Sequence, residues 1–98
     1  MNGWLAIAGL GPGDPQLWTQ DVSETLAEAT DIVGYTPYVA RVSDREGLTK
    51  HASDNRVEIE RATHALDLAS KGHRVVVVSS GDPGVFAMAA AVLSLIHI

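Results

Sequence analysis

Apolar positions in this 98-residue chain fall into blocks whose spacing alternates between continuous and helical. Trp4-Leu5-Ala6-Ile7-Ala8 is a short apolar run closed by Gly9. A run without alternation predicts a strand buried on both faces, as in a parallel sheet. Trp18, Val22, Leu26 and Ala29 then recur at helical spacing, with Thr19 placed to cap the helix and Asp21 and Glu24 near the positive end of its dipole. Asp31-Ile32-Val33-Gly34-Tyr35 reads as a second short strand. Residues 36–53 carry the weakest pattern: Tyr38–Val42 fits a helical turn and Gly47 a break. Helical patterning resumes after Asp54, where Asn55 and Glu58 have capping-box spacing. Ile59, Ala62, Leu66 and Ala69 fall on one face, the charges from Asp54 to Arg61 read as a solvated face, and Gly72 takes the place of a C-terminal glycine. Arg74–Ser79 is the clearest strand, and an apolar helix is expected over Val85–Leu93.

Strand, loop and helix therefore repeat, which predicts an α/β fold: a parallel sheet with flanking helices. Two glycine loops follow strands directly. The first is Gly9-Leu10-Gly11-Pro12-Gly13-Asp14-Pro15 and the second Ser80-Gly81-Asp82-Pro83-Gly84. In an open parallel sheet both emerge at the carboxyl edge, where ligands collect, and glycine lets bare main chain approach a ligand there. The first loop departs from the dinucleotide fingerprint, because Asp14 and Pro15 occupy the third glycine's place and the helix start, where an acid repels pyrophosphate. No Gly-Lys-Ser/Thr phosphate loop is present. Taken alone, each loop is equally a tight strand-to-helix turn, and Asp14 and Asp82 equally helix caps.

Composition narrows the class. The chain is 46% hydrophobic with a formal net charge of −5, apolar enough for a packed core and without the basic stripe that nucleic acid requires. Cysteine is absent, which rules out a disulfide framework and a thiolate metal site. No signal peptide or membrane-length apolar run is visible, so a soluble, cytoplasmic chain is expected. His64 and His73 lack the helical partner spacing of a zinc site, and no metal is expected.

Gly9–Pro15 after the first strand and Ser79-Ser80-Gly81-Asp82-Pro83-Gly84-Val85-Phe86 after the last resemble the two signatures of the tetrapyrrole methylases. Gly34-Tyr35-Thr36-Pro37-Tyr38 and the segment Asp54–Ala62 are similar to the precorrin-3B C17-methyltransferases within that family. The resemblance implies S-adenosyl-L-methionine as cofactor, held between two α/β domains in a homodimer. It further implies methylation of C17 with ring contraction of precorrin-3B, or its cobalt form cobalt-precorrin-3, in cobalamin biosynthesis. By motif position, Gly11, Pro12, Gly13, Ser80, Gly81, Asp82 and Val85 are the implied cofactor-binding residues. A sister methylase acting on another precorrin carbon or on uroporphyrinogen III, and an inactive fragment, remain as alternatives.

Residues 1–93 are expected to be the incomplete amino-terminal domain, with the second domain absent, and 94–98, which resemble translated adapter sequence, a non-native tail. Proton movement during ring contraction calls for an acid or base. Asp14, Asp82, His51 and Tyr35 are candidates, with His51 read more simply as a surface-loop residue and Tyr35 as a rim residue.

Overall fold

A computed structural model describes residues 3–11, 18–54, 58–79, 89–90 and 92. Seven elements follow in order: β1 (Trp4–Gly9), α1 (Gln20–Glu28), β2 (Asp31–Tyr35), α2 (Thr36–Val39), β3 (Thr49–Ser53), α3 (Glu58–Ser70) and β4 (Arg74–Ser79). Among the described residues the strands form one parallel sheet in the order β1-β4-β2-β3. The expected α/β class with flanking helices is what the chain adopts.

The valines of β4 are buried on both faces because this strand lies between β1 and β2. Val76 and Val78 face Leu26 and Ala29 at the end of α1 and Val39 of α2. Val75 and Val77 face Ala62 and Ala65 of α3, together with Val92. A residue pattern without alternation thus follows from helices covering both sides of the sheet. β1, by contrast, is half-buried except at Ala8, since it lies at the sheet's edge rather than in its middle.

Caps and turns explain where the helices begin and stop. Thr19 Oγ1 accepts from the Val22 amide at 3.2 Å, as its position predicts. α1 has no basic residue in its last turn, and distant arginines cover its terminal carbonyls instead. Arg45 donates to Ala27 and Ala29, and Arg74 donates to Glu28 at 2.6 Å. α3 ends in a Schellman motif: His73 N–H donates to Leu68 C=O and Gly72 N–H to Ala69 C=O, with Gly72 at φ +91°.

Several further expectations change in the structure. The weakly patterned stretch contains a strand, β3, whose Thr-Lys-His-Ala-Ser sequence is too polar to announce one; among the described residues it pairs with β2 alone and needs no continuous apolar run. The short α2 begins at Thr36, two residues before the predicted turn. Ile59 is 41% exposed, so the buried stripe of α3 runs through Ala62 and Ala65 rather than from Ile59. Arg61 is half-buried against β3 rather than part of a solvated face. The proposed capping partner Asn55 and most of the helix expected over Val85–Leu93 lie outside the described residues, although Ala89, Ala90 and Val92 are helical.

Gly34 marks the tightest approach in the sheet. A Cβ there would lie 2.8 Å from Val78 Cγ2 and 2.9 Å from its carbonyl oxygen. Gly34→Ala is expected to destabilise the fold by about 1–3 kcal/mol through overpacking. Urea denaturation checks this, and an unchanged midpoint refutes it.

Candidate functional site

β1 and β4 are adjacent, parallel and in register to their last residues, with Gly9 opposite Ser79. The Leu10 amide donates to the Ser79 carbonyl at 2.9 Å, continuing the ladder past the strand ends. The two glycine loops therefore leave the sheet side by side at its carboxyl edge. After β1 the chain runs to α1 on one face; after β4 it reaches Val92 on the opposite face, against α3. Two adjacent parallel strands whose continuations reach opposite faces form the topological switch point of an open α/β sheet, the place where ligands collect.

Of the implied cofactor-binding residues, Gly11 is described; Pro12, Gly13, Ser80, Gly81, Asp82 and Val85 lie outside the described residues, as does Asp14. Gly11 adopts φ +64°, and a Cβ built on it would meet no atom within 4 Å. Its main chain is thus bare on that side, and its left-handed conformation favours glycine. Arg41, just beyond α2, donates from Nη1 to the Gly11 carbonyl at 2.7 Å, and its guanidinium lies 6.0 Å from the Trp18 ring centroid. This brace on the first loop has no signature in the sequence, because it joins residues 30 apart. At the end of β4, the buried Ser79 hydroxyl has no hydrogen-bond partner among the described residues. An open glycine backbone and an unpartnered hydroxyl fit a crevice that receives a polar ligand.

Tyr35 stands at the carboxyl end of β2, 39% exposed and edge-to-face with Tyr38 at 5.5 Å, a rim residue as expected. His51 is not in a surface loop. It is the third residue of β3, and its Nε2 lies 2.7 Å from Oδ2 of Asp31. His73 Nδ1 lies 2.7 Å from the other carboxylate oxygen, which also accepts from Thr30 Oγ1 at 2.7 Å. Asp31 is only 3% exposed, at the amino end of β2. An ionised carboxylate only accepts, so both histidines present a ring N–H to it. The cluster ties the approach to β4 and the edge strand β3 to β2. It sits four residues down the strand from Tyr35, about 13 Å from the ligand edge at the usual rise. His51 is engaged as a structural partner there.

Burial raises the Asp31 pKa, but the hydrogen bonds from His51, Thr30 and His73 and the charge of His73 outweigh it and hold the carboxyl below 3.8. As pH falls, the unfolded chain takes up this proton before the folded one. The stability carried by the carboxylate is complete above 3.8 and is lost as pH falls through the folded value. Asp31→Asn is expected to cost about 2 kcal/mol at neutral pH, because the amide keeps one acceptor oxygen and turns its NH2 toward the donor that faced the other. The variant should also show a shallower loss of stability in acid. Urea melts of both proteins across a pH series check this, and superimposable curves would refute the role given to Asp31.

Comparisons with known proteins agree with this fold. The family model "Tetrapyrrole (Corrin/Porphyrin) Methylases" matches residues 5–97. The chain is 47% identical over 96 residues to a precorrin-3B C(17)-methyltransferase of Sinorhizobium sp, covering 98% of the chain and 38% of that relative. It is 53% identical over 93 residues to the cobalamin biosynthesis protein CobIJ of Mycobacterium tuberculosis (strain ATCC 25618 / H37Rv), covering 95% of the chain and 18% of that protein. The crystal structure of the methyltransferase CobJ superposes with a TM-score of 0.86 at 67% identity, over 95% of this chain and 39% of that one. The chain thus spans about two-fifths or less of the length of these relatives.

Proposed function

The chain belongs to the tetrapyrrole (corrin/porphyrin) methylases, and from that membership we propose that it forms the amino-terminal domain of a precorrin-3B C17-methyltransferase of cobalamin biosynthesis. The observation that carries the proposal is the pairing of Gly9 with Ser79, which supports a common origin of the two glycine loops at the switch point of the sheet. Gly11, Pro12 and Gly13 on the first loop, and Ser80, Gly81, Asp82 and Val85 around the second, hold S-adenosyl-L-methionine there. The cofactor supplies a methyl group already activated on a sulfonium sulfur.

The chain's own work is positioning. Bare main-chain groups of the loops hydrogen-bond the cofactor without the entropy cost of ordering long side chains. The Arg41 brace on the Gly11 carbonyl fixes the first loop before ligand arrives. Asp82 accepts from an amine or hydroxyl of the cofactor. Holding donor and acceptor in attack geometry supplies several kcal/mol of the barrier, so no nucleophile–base pair is required for methyl transfer. The substrate is the reduced tetrapyrrole precorrin-3B or its cobalt form, handled in the cytoplasm by a homodimer whose second domain completes the crevice. The 47% identity to a relative named for C17 favours this carbon over that of a sister methylase.

In a full-length protein carrying this chain, S-adenosylhomocysteine should bind with micromolar affinity. Gly11→Ala and Asp82→Ala should each weaken it about tenfold, the value of one good hydrogen bond to a charged group or of a displaced close contact. Calorimetry checks this, with thermal melts to confirm the fold. Wild-type affinity in both variants would remove the cofactor from this crevice.

A further inference from the structure

A second pocket opens on the α3 face of the edge strand, with a volume of about 200 Å³. Val33, His51, Ala52, Ser53, Arg61 and His64 line it, so its walls carry a guanidinium, two imidazoles and a hydroxyl, and no carboxylate. Arg61 reaches back from the start of α3 to the end of β3. Its Nε donates to Ser53 Oγ at 3.3 Å and its Nη2 to the Ser53 carbonyl at 3.4 Å. The guanidinium carbon lies 5.7 Å from the Tyr35 ring centroid.

These contacts position the guanidinium without neutralising it. Arginine has five N–H donors in a planar fork, and the two bonds to Ser53 are long and use one edge. Among the described residues no carboxylate lies within ion-pair distance of Arg61. A half-buried guanidinium, braced against an aromatic ring with its remaining donors unspent, is organised to receive an anion, and its fork matches a carboxylate. Location argues in the same direction. Ser53 lies opposite Tyr35 at the carboxyl ends of β3 and β2, the edge from which the glycine loops leave. Ser53 is two strands from β4, about 10 Å from the second loop's origin at ordinary strand spacing. A ligand reaching from the crevice to Arg61 is broad and carries peripheral acid groups.

We infer that Arg61, held by Ser53 and Tyr35, anchors a side-chain carboxylate of the tetrapyrrole substrate, a contact made equally in the ground and transition states. This rests on the methylase function proposed above. The cofactor also carries a carboxylate, and the distance from the crevice favours the macrocycle as its source.

The test uses a full-length protein carrying this chain, with precorrin-3B as substrate and S-adenosylhomocysteine as cofactor probe. Arg61→Met is expected to raise the tetrapyrrole KM about thirtyfold, the loss of a charge-assisted hydrogen bond. Its kcat should change little and its affinity for S-adenosylhomocysteine should stay within about twofold of wild type. Arg61→Lys keeps the charge without the fork and should recover part of the KM, which a purely structural role would not predict. Should Arg61→Met fold poorly, Ser53→Ala gives a milder variant, with an expected KM increase of about threefold to fivefold from the loosened tether. An unchanged tetrapyrrole KM in well-folded Arg61→Met overturns the inference. A loss of S-adenosylhomocysteine affinity with tetrapyrrole KM unaltered overturns it too, assigning the anion to the cofactor. A wild-type protein inactive on precorrin-3B defeats the methylase proposal itself, and the anchor with it; an active wild type with a normal variant defeats the anchor alone.

Discussion

The burial of β4 between β1 and β2 is the constraint on which the rest of the molecule depends. Val75–Val78 are each no more than 2% exposed, and helices from both sides of the sheet close over them. Each valine withdraws apolar area from water at roughly 25 cal/mol per Å², and its branched side chain suits the pleated surface. A central strand of this kind must be reached by crossovers, so the chain passes from β1 to β2, adds β3 outside and returns through α3. That return sets Ser79 beside Gly9 and creates the crevice. The site is a consequence of how the strongest strand is buried.

The two edges of the sheet have separate duties. At the amino edge, Asp31 satisfies two histidines and a threonine and ties the start of β2 to the middle of β3 and to the approach to β4. At the carboxyl edge, among the described residues, polar groups are left with unspent capacity: the Ser79 hydroxyl, the open side of Gly11 and the outer donors of Arg61. Buried polar groups in a stable fold are ordinarily satisfied from within. Their satisfaction at one edge and its lack at the other distinguishes scaffold from ligand face more clearly than any single motif does.

Membership of the tetrapyrrole methylases is consistent with this division, because methyl transfer from an activated donor asks for positioning rather than covalent participation. The Arg41 contact that holds the Gly11 carbonyl is suited to such positioning. The structural match to CobJ over 95% of the chain places the same architecture in a methyltransferase more than twice as long.

The sequence by itself determined the elements whose pattern is local. The β-branched run of β4, the Thr19 cap and the Gly72 turn depend on neighbours within a few residues, and each was legible. Legibility failed where stability comes from distant partners. β3 is held by its ladder to β2 and by His51 reaching Asp31, 20 residues away, so its polar sequence gives no sign of a strand. Arg61 looked like a solvated charge because only the folded chain sets Ser53 and Tyr35 beside it. Tertiary structure alone decided the strand order, the Asp31 cluster and the setting of Arg61 beside Ser53 and Tyr35. Periodicity records which face of an element avoids water, whereas hydrogen bonds across the sheet depend on which elements become neighbours, and that is fixed only when the whole core packs.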